Sequence, residues 1–237
     1  ACTASQGNIE KINWKGEVST KNITIKNPYG DVRLRFSDTT NILEYNTIYQ
    51  HLDKSKTLQV SHTESDKQFT VSVYPLNENN EEQKKDILSR VDMVAYIPKG
   101  ITLYIESSSG LIEAKGLESD IHLKTLSGNI SVNKIKGAVN TSNDSGKTTL
   151  ILKDLGIDKQ TFTSKHGSIS VLLDQRSNFK VEMSTSGDFT SDFSTTVESH
   201  DYKEPNKTAI IKINKANTLL KFNSKRGNIA VRRYKKY

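Results

Sequence analysis

The chain has 237 residues, 34% of them hydrophobic, with a formal charge of +7 and a pI near 9.2. That length allows one large unit or two modest domains with a real core, and the apolar residues alternate with polar ones rather than being absent, which excludes general disorder. The basic balance favours an anionic partner, and no run approaches the roughly eighteen apolar residues that a membrane helix needs.

In chain order, the first feature is Cys2, the single cysteine, which has no partner for an internal disulfide. Ala1-Cys2 followed by Thr-Ala-Ser-Gln-Gly resembles the end of a bacterial lipobox and its polar tether. The expectation is a diacylglyceryl anchor on Cys2 and a tether over residues 1–19. A β-solenoid is expected over 20–237, with less regular coils at 20–100 and regular coils at 101–233 before a basic tail. The phrase NPYGDVRLRF places a glycine at Gly30, 80 residues before Gly110, an interval that would hold about four coils. A long polar insert at 77–90 interrupts this part, and EEQKKDILSR after Asn80 is the one stretch with a helical look.

From residue 101 onward one phrase recurs: apolar, any, Ser/Thr, a few residues, Gly, any, apolar. The copies IESSSGLIEA, LKTLSGNISV, VNTSNDSGKTTL, FTSKHGSISV, EMSTSGDFTS and FNSKRGNIAV centre on Gly110, Gly128, Gly146, Gly167, Gly187 and Gly227. Their spacings are 18, 18, 21, 20 and 40, so the last reads as two intervals, with AIIKIN at 209–214 as a coil without its glycine. Apolar residues alternate within each copy, as in Ile130 with Val132 and Ile169 with Val171, and period two means strand. A constant interval near twenty favours coils stacked about 4.8 Å apart over independent hairpins. Gly then marks a corner where positive φ or close approach excludes a Cβ. Ser107, Thr125, Thr141, Ser164, Thr185 and Ser224, which precede the corners, form a candidate inward ladder whose hydroxyls bond one another or the corner backbone. The charged tail VRRYKKY is expected to blunt an open strand edge.

At these phrases the chain resembles the bacterial putative-adhesin family of β-strand-repeat domains with S-G-x-I copies. ITIKNPYGDVRL is similar to the family's opening and VDMVAYIPKGITLYIESSSGLIEAKGL to its central strand pair, and the likeness spans roughly residues 20 to 233. The resemblance implies an all-β, single-stranded right-handed parallel β-helix with coils of about 20 residues, placed at the bacterial cell envelope, in the periplasm, outer membrane or surface. It implies a non-enzymatic adhesin-like, scaffolding or envelope-sensing role.

Chemical motifs are sparse. Gly146-Lys147-Thr148 resembles the end of a phosphate loop, but the earlier glycine that such a loop needs is Thr141. His51, His62, His122, His166 and His200 include no pair at metal-site spacing, so neither metal nor cofactor is expected. Asp154 and Asp174, one coil apart, with Asp188 and Asp192 on the next segment, support the alternative of a polysaccharide lyase or hydrolase on a β-helix. Lys225, Arg226, Arg232, Arg233, Lys235 and Lys236 form a basic cluster suited to an anionic envelope polymer. A membrane or surface protein is the other expected partner, with membrane contact only through the anchor. Aromatic interleaving is limited to Tyr234 and Tyr237, which argues against specific nucleic-acid recognition.

Overall fold

The structure is a computed structural model and describes residues 8–51, 58–76, 89–153 and 159–235. Cys2 and most of the polar insert lie outside the described residues; Arg90, at the insert's end, begins a strand. Among the described residues every regular element is a strand. The first seven are β1 (Asn8–Glu17), β2 (Asn22–Asn27), β3 (Val32–Ser37), β4 (Ile42–His51), β5 (Leu58–Glu64), β6 (Phe69–Pro75) and β7 (Arg90–Pro98). Next come β8 (Thr102–Ser107), β9 (Ile112–Lys115), β10 (Asp120–Thr125), β11 (Ile130–Asn133), β12 (Val139–Asn143), β13 (Thr148–Leu152), β14 (Gln160–Ser164) and β15 (Ile169–Leu173). The last six are β16 (Phe179–Thr185), β17 (Phe189–Ser191), β18 (Thr196–Ser199), β19 (Lys207–Lys212), β20 (Thr218–Ser224) and β21 (Ile229–Arg233).

Alternation decides which residues go inside. In β16, Phe179, Val181, Met183 and Thr185 are buried while Lys180, Glu182 and Ser184 face outward, the two-residue period of a half-wet strand. The strands form two large open sheets. Sheet A runs β1-β4-β7-β3-β9-β11-β13-β15-β21-β17 and sheet B runs β18-β19-β16-β20-β14-β12-β10-β8-β2-β6-β5. Their facing sides share one apolar interior, in which Phe162 and Phe222 stack at 4.8 Å between ring centroids.

The centre is a parallel stack in which each coil gives one strand to each sheet. Val32, Ile112, Ile130, Thr148, Ile169 and Ile229 form one inward column of sheet A. Contrary to an all-parallel helix, both sheets are mixed. At one end β4 runs antiparallel to both β1 and β7, and β5 to β6; at the other, β19 runs antiparallel to both β16 and β18.

The antiparallel ends correct the coil count. Gly110 sits directly against Gly30, so the 79 residues between them hold, besides β3 and β8, the antiparallel strands β4 and β5 and a single further parallel coil, β6 and β7, rather than four. Residues 209–214, expected as a coil without a glycine, fall mainly in β19, an antiparallel strand near the edge. The stack also departs from chain order. β20 lies between β14 and β16, and β21 between β15 and β17, so the final coil is inserted beside an earlier one. The stretch expected to blunt an edge thus begins inside the sheet, with Val231, Arg232 and Arg233 in β21. Residues 8–17, expected within the tether, form β1, paired along its length with β4.

Candidate functional site

The corner from sheet B to sheet A is the most regular feature. A Cβ on Gly110, Gly128, Gly146, Gly167 or Gly227 would lie 2.0 Å from the carbonyl oxygen of the preceding corner glycine in the stack. On Gly30 it would lie 1.9 Å from the Val91 oxygen, and on Gly187 2.7 Å from that of Arg226. These contacts are far inside van der Waals distance, so close approach demands glycine.

Three residues before most of these glycines, a short polar side chain ties two coils together. Ser224 Oγ donates to the Gly167 oxygen at 2.8 Å and accepts the Gly227 N–H at 2.9 Å. Thr125 does the same with the Ser108 oxygen and the Gly128 N–H; Ser164 accepts the Gly167 N–H, and Ser107 donates to the Gly110 oxygen. Thr185 serves Gly187 and Gly227 from two residues back. Thr141 is not part of this ladder. Asn143 holds the position, donating through Nδ2 to the Gly128 oxygen at 3.0 Å and accepting the Gly146 N–H at 2.8 Å, and Asn27 plays the equivalent part at Gly30 by donating to the Val91 oxygen. The corner is therefore saturated with internal bonds and has little left to offer a ligand.

Three of the four carboxylates considered for catalysis are engaged locally. Asp174 accepts hydrogen bonds from the Arg176 side chain and backbone, which pull its pKa down to about 2. Asp188 faces Lys207, Asp192 accepts the Arg233 N–H, and Asp154 lies outside the described residues. Among the described residues no three His, Cys, Asp or Glu side chains gather where they could hold a metal. The basic residues are partly neutralised: Lys225 and Arg226 both pair with Glu204, and Arg233 lies over the Phe193 ring.

The outer face of sheet B is different, because depressions follow one another along it. One of about 480 Å³ is lined by Glu182, Ser184, Thr208, Ile210, Lys221 and Asn223. Thr161 joins it to a second of about 270 Å³, bounded by Tyr104, His122, Asn140 and Ser142. A third, about 430 Å³, lies between Tyr104 and Thr24, with Gln68 and Lys67 on its wall. A fourth, about 480 Å³, is bounded by Lys26, Ser72, Glu106 and Lys124. Shared walls make these one groove across the strands.

Sequence reasoning missed the two residues at its middle. Tyr104, 40% exposed, stacks on His122 with ring centroids 4.8 Å apart and planes within 6°. They are 18 residues apart, the interval from Gly110 to Gly128, and they face each other in the pairing of β8 with β10. That shared interval was the signal, on the outward positions. Glu182 is held by Lys180 at 2.9 Å and Lys221 at 3.6 Å, and the hydrogen bond from Lys180 lowers its pKa.

Two large, mixed open sheets around one core, with a parallel centre and a grooved outer face, define an all-β protein. The chain is similar in fold to a solved structure from Clostridium sporogenes named a putative cell adhesion protein, with a TM-score of 0.53 and 13% identity over 95% of this chain and all (100%) of that one. A structure from Bacteroides fragilis named a putative adhesin aligns over 95% of this chain and 97% of its own, with a TM-score of 0.30 and 9% identity. No family model matches the chain, and no curated protein matches it. At such identities the likeness to the clostridial structure concerns the fold.

Proposed function

We propose that the protein is a non-enzymatic binding module of the bacterial envelope, an adhesin-like β-solenoid that engages its partner along the outer face of sheet B. Right-handed winding of coils near twenty residues, kinship with the S-G-x-I repeat family and a lipid anchor at Cys2 belong to the same reading. So does the division into a tether and a solenoid, with the tether's end shortened by β1. The observation that carries it is the groove: its depressions share walls across the strands of sheet B, and apolar surface in them is set among hydroxyl, amide, lysine and glutamate groups. Its fold likeness to a structure named for cell adhesion supports the same direction.

An extended face recognises by many modest contacts, each hydrogen bond adding little and the sum setting specificity. The test is adhesion of beads carrying the full chain to bacterial envelopes and host cell layers. Thr163→Arg, which places a long cation in the groove, should abolish attachment; Thr149→Arg on the outer face of sheet A should leave it intact. Release of new reducing ends from a polysaccharide incubated with the protein would instead establish the lyase or hydrolase alternative.

A further inference from the structure

The geometry points to an uncharged glycan chain as the occupant of this groove, with the Tyr104–His122 pair standing as a partition between two sugar subsites; the inference rests on the reading of sheet B as the binding face. In strand register Tyr104 lies between Thr24 and His122, and His122 between Tyr104 and Asn140. Since the two rings cover one face of each other, Tyr104 turns its second face toward Thr24 and His122 turns its second face toward Asn140. A depression adjoins each of these faces, about 430 Å³ beside Tyr104 and about 270 Å³ beside His122.

A pyranose ring has two chemically distinct sides. Its C–H face carries slight positive charge and is attracted to the negative face of an aromatic ring. Its hydroxyl edge needs partners that both donate and accept, which is the capability of Thr, Asn and Gln. Each depression supplies both kinds: Gln68, held in place by donating to the buried Thr24, across from Tyr104, and Asn140 with Thr161 across from His122. Both subsites lie on one row of outward residues, so a linear chain crossing the strands meets one after the other about two strand spacings apart, roughly 10 Å, with the ring pair between them.

Charge selects an uncharged chain. Lys26, Glu106 and Lys124 alternate on β2, β8 and β10, and Glu182 stands between Lys180 and Lys221. Cations so interleaved with carboxylates offer a polyanion weak attraction, whereas hydroxyl groups are indifferent to the alternation.

The experiment is isothermal titration of the full chain with cellohexaose, chitohexaose and mannohexaose, and with hexagalacturonate as the acidic comparison. At least one neutral hexasaccharide should bind, with affinity falling about tenfold or more in Tyr104→Ala and remaining in Tyr104→Phe, which keeps the ring face. Thr149→Ala on sheet A should change nothing, and unchanged melting temperatures would show that each variant is folded. Preference for hexagalacturonate, binding by none of the neutral probes, or indifference to Tyr104→Ala would each overturn the inference. If the sugars fail while Thr163→Arg still abolishes bead adhesion, the glycan is wrong and the binding face stands; if Thr163→Arg leaves adhesion intact, both fall.

Discussion

In the central stack every strand lies parallel to its equivalent in the next coil, and each corner glycine is fitted against the glycine beside it. Of the closing strands, which run antiparallel to a neighbour, β4 and β19 keep the alternation, while β18 is exposed throughout and β1 and β5 mostly so. The β1 end carries an aromatic plug: Trp14 packs on Tyr45, His62 and Phe69 at 4.5–5.3 Å between centroids. The difference teaches where a fault spreads. A displaced corner must displace its neighbours, because packed interiors do not deform smoothly, while a fault at the end can be confined to a few strands.

The sharpest way to break that comparison is to pit two kinds of glycine against each other. Gly128→Val places side-chain carbons on the Gly110 carbonyl, and loss of more than about 5 kcal/mol, or failure to fold, is expected. Gly100 has φ of +75° and nothing within 4 Å of a Cβ, so Gly100→Ala should cost about 1 kcal/mol from backbone strain alone. Urea unfolding of both decides it; equal losses would mean that corner stacking does not govern stability.

Next in size is the core. Phe162→Ala removes a fully buried ring stacked on Phe222 and should lower stability by about 4 kcal/mol. Trp14→Ala, in the half-buried plug, should cost about half as much and should lower hydrogen-exchange protection in β1 and β4 while sparing β13 and β15. Uniform loss of protection would show that end and centre unfold as one.

What could be read from the sequence follows the same division. The strands, the inward columns and the glycine interval were legible because parallel stacking repeats residue type at fixed spacing, as at Ile112, Ile130 and Ile169. The neighbours of a coil were not legible where the chain doubles back: nothing local tells Gly227 that it will lie between Gly167 and Gly187. Thr141 looked like a ladder member because it carries a hydroxyl, but Asn143 stands at the right offset from Gly146 and its amide donates and accepts at once. The groove was hidden because attention fell on inward positions, whereas Tyr104 and His122 repeat on the outward ones.

Titration separates the two regions further. Asp174, almost fully buried at the end of β15, has its carboxylate pKa held at about 2 by Arg176. Its folded value lies below the unfolded one, so its contribution of roughly 2 kcal/mol is complete above pH ~4 and disappears as pH falls toward ~2. Tyr45, in the plug, is raised to about 12 by burial and then by the nearby Tyr49. Its folded value lies above the unfolded one, so a comparable contribution is complete below pH ~10 and is lost as pH rises toward ~12. Urea midpoints against pH should therefore show a shallower acid slope in Asp174→Asn and a shallower alkaline slope in Tyr45→Phe.

The smallest expected effect has the opposite sign. Thr148 sits in the sheet A column between Ile130 and Ile169, fully buried, and its hydroxyl has no hydrogen-bond partner. An unpaired buried hydroxyl forfeits its bond to water and recovers nothing, whereas Val has nearly the same shape and continues the apolar column. Thr148→Val should therefore raise stability by about 1 kcal/mol, seen as a higher urea midpoint with unchanged slope. A parallel increase in Thr141→Val, whose hydroxyl is likewise unpaired, would show that the stack tolerates polar residues at these inward positions without needing them. A loss of stability in both would mean that the hydroxyls hold bonds within the column, and that the ladder at the corner extends into the sheets.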